Sequence, residues 1–204
     1  MQQAERRART IEEIELMCIR LFAKQGIEHT TLDEIATRAK LTKGAIYWHY
    51  SSKEALLISV LHRSRTMWSR VIPVGIDEID DPRERLHRLF SNYLTMFREY
   101  PDLTLFYRRV RLETKSSIRK PVCEFYRQSA RFIEAVLRYG EEKGIFRGLA
   151  NRSFYSFHVM SALAGAHAQW LTDPELDLAG LVREIEADAV LRLTTAIPKG
   201  LFKS

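Results

Sequence analysis

Cysteine is nearly absent. Cys18 and Cys123 stand singly inside helical patterns, without the density of a disulfide framework or the spacing of a metal motif, so they read as two reduced thiols. The six histidines (His29, His49, His62, His87, His158 and His167) also fall into no metal-ligand spacing. The chain has no glycine-rich phosphate loop, no H-E-x-x-H pair and no nucleophile elbow, which leaves catalysis and a cofactor without a sequence basis. Long apolar runs are missing too. The weakly polar stretch from Ala162 to Ala168 is far below the ~18 residues a spanning helix needs, so no membrane partner is expected. With a polar, basic start lacking an apolar signal core, the expected location is the cytoplasm. Strand-like alternation and internal repeats do not occur either, which leaves helix as the one regular structure the pattern supports.

What is present is concentrated in residues 30–53, TTLDEIATRAKLTKGAIYWHYSSK. Thr31 followed by Glu34 forms a capping box that starts a helix near Leu32, with Leu32, Ile35, Ala36 and Ala39 on one apolar face. Thr42 is a second N-cap, so only Lys40 and Leu41 remain for the turn into a helix from Lys43 to about Tyr50. Ser51 with Glu54 forms a third box opening the next helix. This is the layout of a helix-turn-helix. In its second helix Ile46 and Tyr50, four residues apart, reach the core, which turns Lys43, Gly44, Ala45, Tyr47, Trp48 and His49 outward or to the rim. Two large aromatics beside a lysine suit a nucleic-acid groove better than solvent. Gly44, costing about 1 kcal/mol in a helix relative to alanine, leaves room for a sugar-phosphate strand.

The stretch T-K-G-A-I-Y-W-H-Y-S-S-K-E-A-L-L at residues 42–57 resembles the recognition helix and following helix of the TetR/AcrR family of bacterial one-component transcriptional repressors. Motif similarity covers about residues 9–62; the rest agrees with the family in length and helical pattern. The resemblance implies base-edge or groove contact from Lys43, Ala45 and Tyr47. It implies phosphate contact from Thr31, Thr42, Trp48, His49 and Lys53, and close backbone approach at Gly44. Position 33, where some members carry a basic base-reading residue, is Asp33, whose carboxylate repels phosphate.

The net charge of +6 suits a polyanion partner. Placement matters more than the sum, because through residue 53 nine basic residues face seven acidic ones. Arg6, Arg7 and Arg9 read as a basic arm ahead of a first helix capped by Thr10 and ended by Gly26. The fold expected is all-α, with about nine helices. A three-helix DNA-binding bundle with the helix-turn-helix occupies residues 1–55, and a larger helical bundle for ligand binding and dimerisation occupies 56–204. The later helices are expected at about 52–72, 82–99, from 101, 121–143, 152–171 and 178–197, each of the fifth to seventh opening on a proline.

The larger part carries an aromatic excess that reads either as core or as a ligand box, and composition does not choose. The family resemblance favours the box, with Trp68, Tyr93, Phe97, Phe106, Arg109, Phe125, Phe132 and His158 as its lining. Small residues from Ser161 to Ala168, and the stripe Leu181, Ile185, Ala189 and Leu193 widened by Val182 and Ala196, suit close helix approach. The resemblance implies that these helices, near 152–171 and 178–197, form a homodimer seam. It further implies double-stranded operator DNA and an apolar or aromatic small-molecule inducer as partners. Constitutive ligand-independent DNA binding, and regulation of lipid metabolism by an acyl-CoA, are the alternatives.

Overall fold

The computed structural model describes residues 2–111 and 115–195. Those residues form nine helices and no strand: α1 (Gln2–Gln25), α2 (Leu32–Arg38), α3 (Lys43–His49), α4 (Lys53–Val71), α5 (Pro82–Glu99), α6 (Pro101–Val110), α7 (Ser116–Glu142), α8 (Arg152–Thr172) and α9 (Leu178–Thr194). The all-α class is as expected, and three boundaries are not.

The first is the start of α1, which runs back past Thr10, so Arg6, Arg7 and Arg9 lie on the helix rather than in an arm. The reason is local: residues 2–9 hold strong helix formers and no glycine or proline, and Arg9 pairs with Glu13 one turn on at 3.1 Å. The second is the cap of α4. Ser52, not Ser51, accepts the Ala55 N–H at 3.1 Å, and the helix opens at Lys53. The third is α7, which begins five residues ahead of Pro121 and takes the proline into its body. Ile118, fully buried, holds that first turn against the core, while Lys115 accepts the Ile118 and Arg119 amides. Ala196 and Ile197, which the expected last helix included, lie outside the described residues.

By its contacts the chain divides into two compact units, Met1–Ser69 with Tyr100–Phe125 and Arg70–Glu99 with Tyr126–Ser204. In the first, α1 buries Ile14, Cys18, Leu21 and Phe22 and ends at Gly26, whose φ of +90° only glycine adopts freely. Burial and the neighbouring Glu15 push the Cys18 thiol up, so it stays protonated and packs as a small apolar side chain. Helix α6 lies along α1: Phe106 stacks on Phe22 at 6.1 Å, and Arg109 donates to the carbonyls of Ala23 (2.7 Å) and Lys24 (3.1 Å), capping the C-terminal end of α1. Beneath α3, Glu15 is 4% exposed yet fully engaged, accepting from Arg63 Nε at 2.8 Å, from Ser59 Oγ and from Tyr50 Oη. Burial pushes the Tyr50 phenol up to about 12.

In the second unit, α5 meets α8 and α9. Phe97 stacks on His167 at 4.5 Å, and His87 Nδ1 lies 2.8 Å from Glu186 Oε1. Asn151 caps α8 by accepting the Phe154 amide at 2.9 Å. Arg147 closes the loop before α8 onto the end of α9, donating its amide to Leu193 O at 2.8 Å. Among the described residues no helix is long and apolar enough to cross a membrane.

Candidate nucleic-acid interface

The hinge between α2 and α3 is built as the caps dictate. Thr31 Oγ1 accepts the Glu34 amide at 3.1 Å and Thr42 Oγ1 accepts the Ala45 amide at 3.2 Å, fixing both helix starts. The capping box is half formed, because the Glu34 carboxylate takes the Gln25 amide at 2.7 Å. The turn itself passes through Lys40 at φ 56°, a left-handed conformation that a lysine adopts at a cost. Leu32, Ile35 and Ala36 on α2, Ile46 on α3 and Tyr50 at its C-terminal cap are buried.

That anchoring leaves the opposite side of α3 in solvent. Trp48 is 65% exposed and Tyr47 52%, Lys43 and Gly44 are exposed, and Ala45 and His49 are half-buried. A Cβ built at Gly44 would meet nothing nearer than Thr42 Oγ1 at 4.0 Å. Arg7, carried on the first turns of α1, places its guanidinium 4.4 Å from the centre of the Trp48 ring, a contact that a separate arm would not supply. His49 packs edge-on to Trp48 at 4.8 Å. Burial, with a smaller contribution from the Arg7 charge, lowers its pKa, favouring the neutral ring. The face offered outward is thus two exposed rings flanked by Lys43 and Arg7.

Two lysines are already engaged. Lys43 Nζ lies 2.6 Å from Asp33 Oδ2 on α2, and this hydrogen bond, with the Asp33 charge, raises the lysine pKa. Lys53 donates to the carbonyls of Ile27 (2.9 Å) and Glu28 (3.3 Å), tying the start of α4 to the loop after α1. Replacing Lys53 by methionine removes two charge-assisted hydrogen bonds and is expected to lower unfolding stability by about 1–2 kcal/mol, read in a urea titration.

The eight residues assigned to ligand binding divide between the units. In the first, Trp68 meets Phe125 edge-on at 5.9 Å, Phe125 stacks on Tyr107 at 4.0 Å, and Phe106 is buried. Arg109 is occupied with the end of α1, a reach of more than eighty residues along the chain that spacing does not reveal. In the second, Tyr93 lies 6.0 Å from Phe97, Phe132 is half-buried, and His158 is exposed. The buried histidine there is His167, stacked on the ring of Phe97 and outside the eight residues assigned.

The family model described as bacterial regulatory proteins, tetR family, matches residues 19–60, which end α1, span α2 and α3 and open α4. The chain is also 30% identical to the HTH-type transcriptional regulator TtgR of Pseudomonas putida, across 96% of its own length and 95% of that protein. The chain belongs to the TetR family. It is a DNA-binding transcriptional regulator. Solved structures share the fold throughout. A putative transcriptional regulator from Saccharomonospora viridis in complex with choline superposes with a TM-score of 0.80 at 21% identity, covering 96% of this chain and all of that one. The transcriptional regulator FadR from Bacillus subtilis in complex with stearoyl-CoA gives 0.77 at 17%, covering 89% and 98%.

Proposed function

We propose that this TetR-family chain is a cytoplasmic homodimeric repressor, with residues 1–55 as its DNA-binding domain and 56–204 for ligand binding and dimerisation. In this reading Lys43, Ala45 and Tyr47 meet base edges, while Thr31, Thr42, Trp48 and His49 border phosphate. The observation that carries it is the pair of exposed rings on α3 beside an open glycine, an apolar display that water does not favour and a groove does. Two such helices must enter successive major grooves about 34–36 Å apart, so the reading requires a dimer. Its seam is supported by the outer face of α8, where Phe154 is 74% exposed, Phe157 is also open, and Ser161, Ala164 and Gly165 permit close approach, and by exposed Leu191 on α9.

Release follows if an apolar or aromatic ligand favours a geometry in which the pair no longer spans that distance. Helix α6, clamped to α1 through Arg109, gives this signal a direct path to the DNA-binding helices beside a tilt of α4. The test is reciprocal titration. A small molecule found by native mass spectrometry in the purified protein is added to the complex with a duplex selected by the protein from a random pool. A tenfold loss of duplex affinity, about 1.4 kcal/mol of coupling, must be matched by a tenfold loss of ligand affinity when the duplex is present. Equal ligand affinities with and without the duplex would leave constitutive DNA binding as the better account.

A further inference from the structure

Asp33 and Lys43 form an ion pair that the fold does not need. Both helices already have a capping hydroxyl and buried apolar anchors, and the pair lies open to water, with 72% of the lysine side chain and 46% of the aspartate exposed. Ion pairs so exposed contribute little to stability. Its consequence falls instead on the one Lys or Arg of α3, whose ammonium is held 2.6 Å from a carboxylate carried by the neighbouring helix.

A lysine in that state treats two kinds of acceptor differently. Toward a phosphate the pair presents almost no net charge, because the carboxylate repels the anion that the ammonium attracts. Toward a neutral base-edge acceptor, such as guanine O6 or N7, no such repulsion arises, and the two ammonium hydrogens not given to Asp33 remain free to donate. We infer that Asp33 is a specificity-determining residue acting through Lys43: it suppresses the sequence-independent phosphate contact of the recognition helix while leaving the base contact intact. This rests on the reading that α3 enters the major groove.

Binding of the full-length protein is measured over a salt series on two probes, a duplex selected by the wild type from a random pool and a scrambled duplex of the same composition. For Asp33→Asn, Lys43 is freed to neutralise one more phosphate wherever no base contact already holds it. The log-log salt slope on the scrambled duplex should steepen by about 0.9, a gain of about eightfold at 0.1 M salt, while affinity for the selected duplex changes by less than about threefold. In a Lys43→Met background the same Asp33→Asn change should leave the scrambled slope unaltered. Equal gains on the two duplexes, or the same steepening without Lys43, would overturn the inference and make Asp33 a bare repulsive charge. A wild type that shows no preference for the selected duplex would overturn the groove reading itself. Both side chains are exposed, so thermal melts of the variants should match the wild type, which separates these results from misfolding.

Discussion

Glu15→Ala should cost about 3 kcal/mol of unfolding stability, the largest loss expected from any single polar substitution in the first unit. Glu15 is 4% exposed and stands under α3, accepting from Arg63, Ser59 and Tyr50 at once. Removing one partner of a buried ion pair typically costs about 3–5 kcal/mol, because the other charge stays desolvated without compensation. Arg63 is one-fifth exposed and keeps Glu12 at 3.1 Å, which places the effect at the low end of that range. The Tyr50 and Ser59 hydroxyls lose their acceptor as well, so the C-terminal anchor of α3 loosens with the core. Glu12→Ala is the control, since that carboxylate is half exposed and meets the same guanidinium from the solvent side; it should cost well under about 1 kcal/mol. Urea titrations at one fixed protein concentration decide the matter. Equal losses for the two variants would mean that the buried network does not hold α1, α3 and α4 together.

The contrast between Glu15 and Thr42 shows what was legible in the sequence. Thr42 announces itself because an N-cap is a rule about neighbours: its hydroxyl meets an amide three residues on, wherever the helix lies in the fold. The same locality made Thr31, the buried pair Ile46 and Tyr50, and the exposure of Tyr47 and Trp48 readable. Glu15 reads as one more solvent-facing acid on a helix, since its partners Tyr50, Ser59 and Arg63 come from distant segments. Arg109 hid for the same reason. The pair of Asp33 and Lys43 is intermediate: the sequence supplied both charges and marked Asp33 as unfavourable near phosphate, but only the hinge geometry shows them in contact. The start of α1 was misplaced by a competing local signal, a threonine that can cap, set against a run of good helix formers that did not need one. For the ligand residues the obstacle is different. An aromatic in a core and an aromatic in a pocket wall leave the same periodic trace, so composition could not separate Phe106 and Phe97 from ordinary packing.

Gly44→Leu should abolish operator binding while leaving the folded protein intact. In the free chain nothing requires glycine at this position: its φ is not positive, the residue is exposed, and a Cβ would meet only Thr42 Oγ1 at 4.0 Å. Helix propensity argues against glycine as well, since leucine or alanine favours α3 by up to about 1 kcal/mol. A residue that weakens its own helix and fills no tight place in the fold is explained by what approaches from outside. At the second position of α3, one residue beyond Lys43, that approach is, in the function proposed above, a DNA strand drawn against the backbone at the helix start. A leucine side chain there would hold the strand off and displace the neighbouring contacts of Lys43, Ala45 and Thr42 together. The expected loss on the selected duplex is at least a hundredfold, about 2.7 kcal/mol, and Gly44→Ala should lose part of it. Unfolding stability should stay within about 0.5 kcal/mol of the wild type or rise slightly, so affinity and stability move independently. Thr42→Ala, unlike Gly44→Leu, should lose about 1 kcal/mol of stability with its cap. If Gly44→Leu bound the selected duplex within threefold of the wild type, the start of α3 would not face DNA. The exposed rings of Tyr47 and Trp48 would then have to serve a protein partner instead.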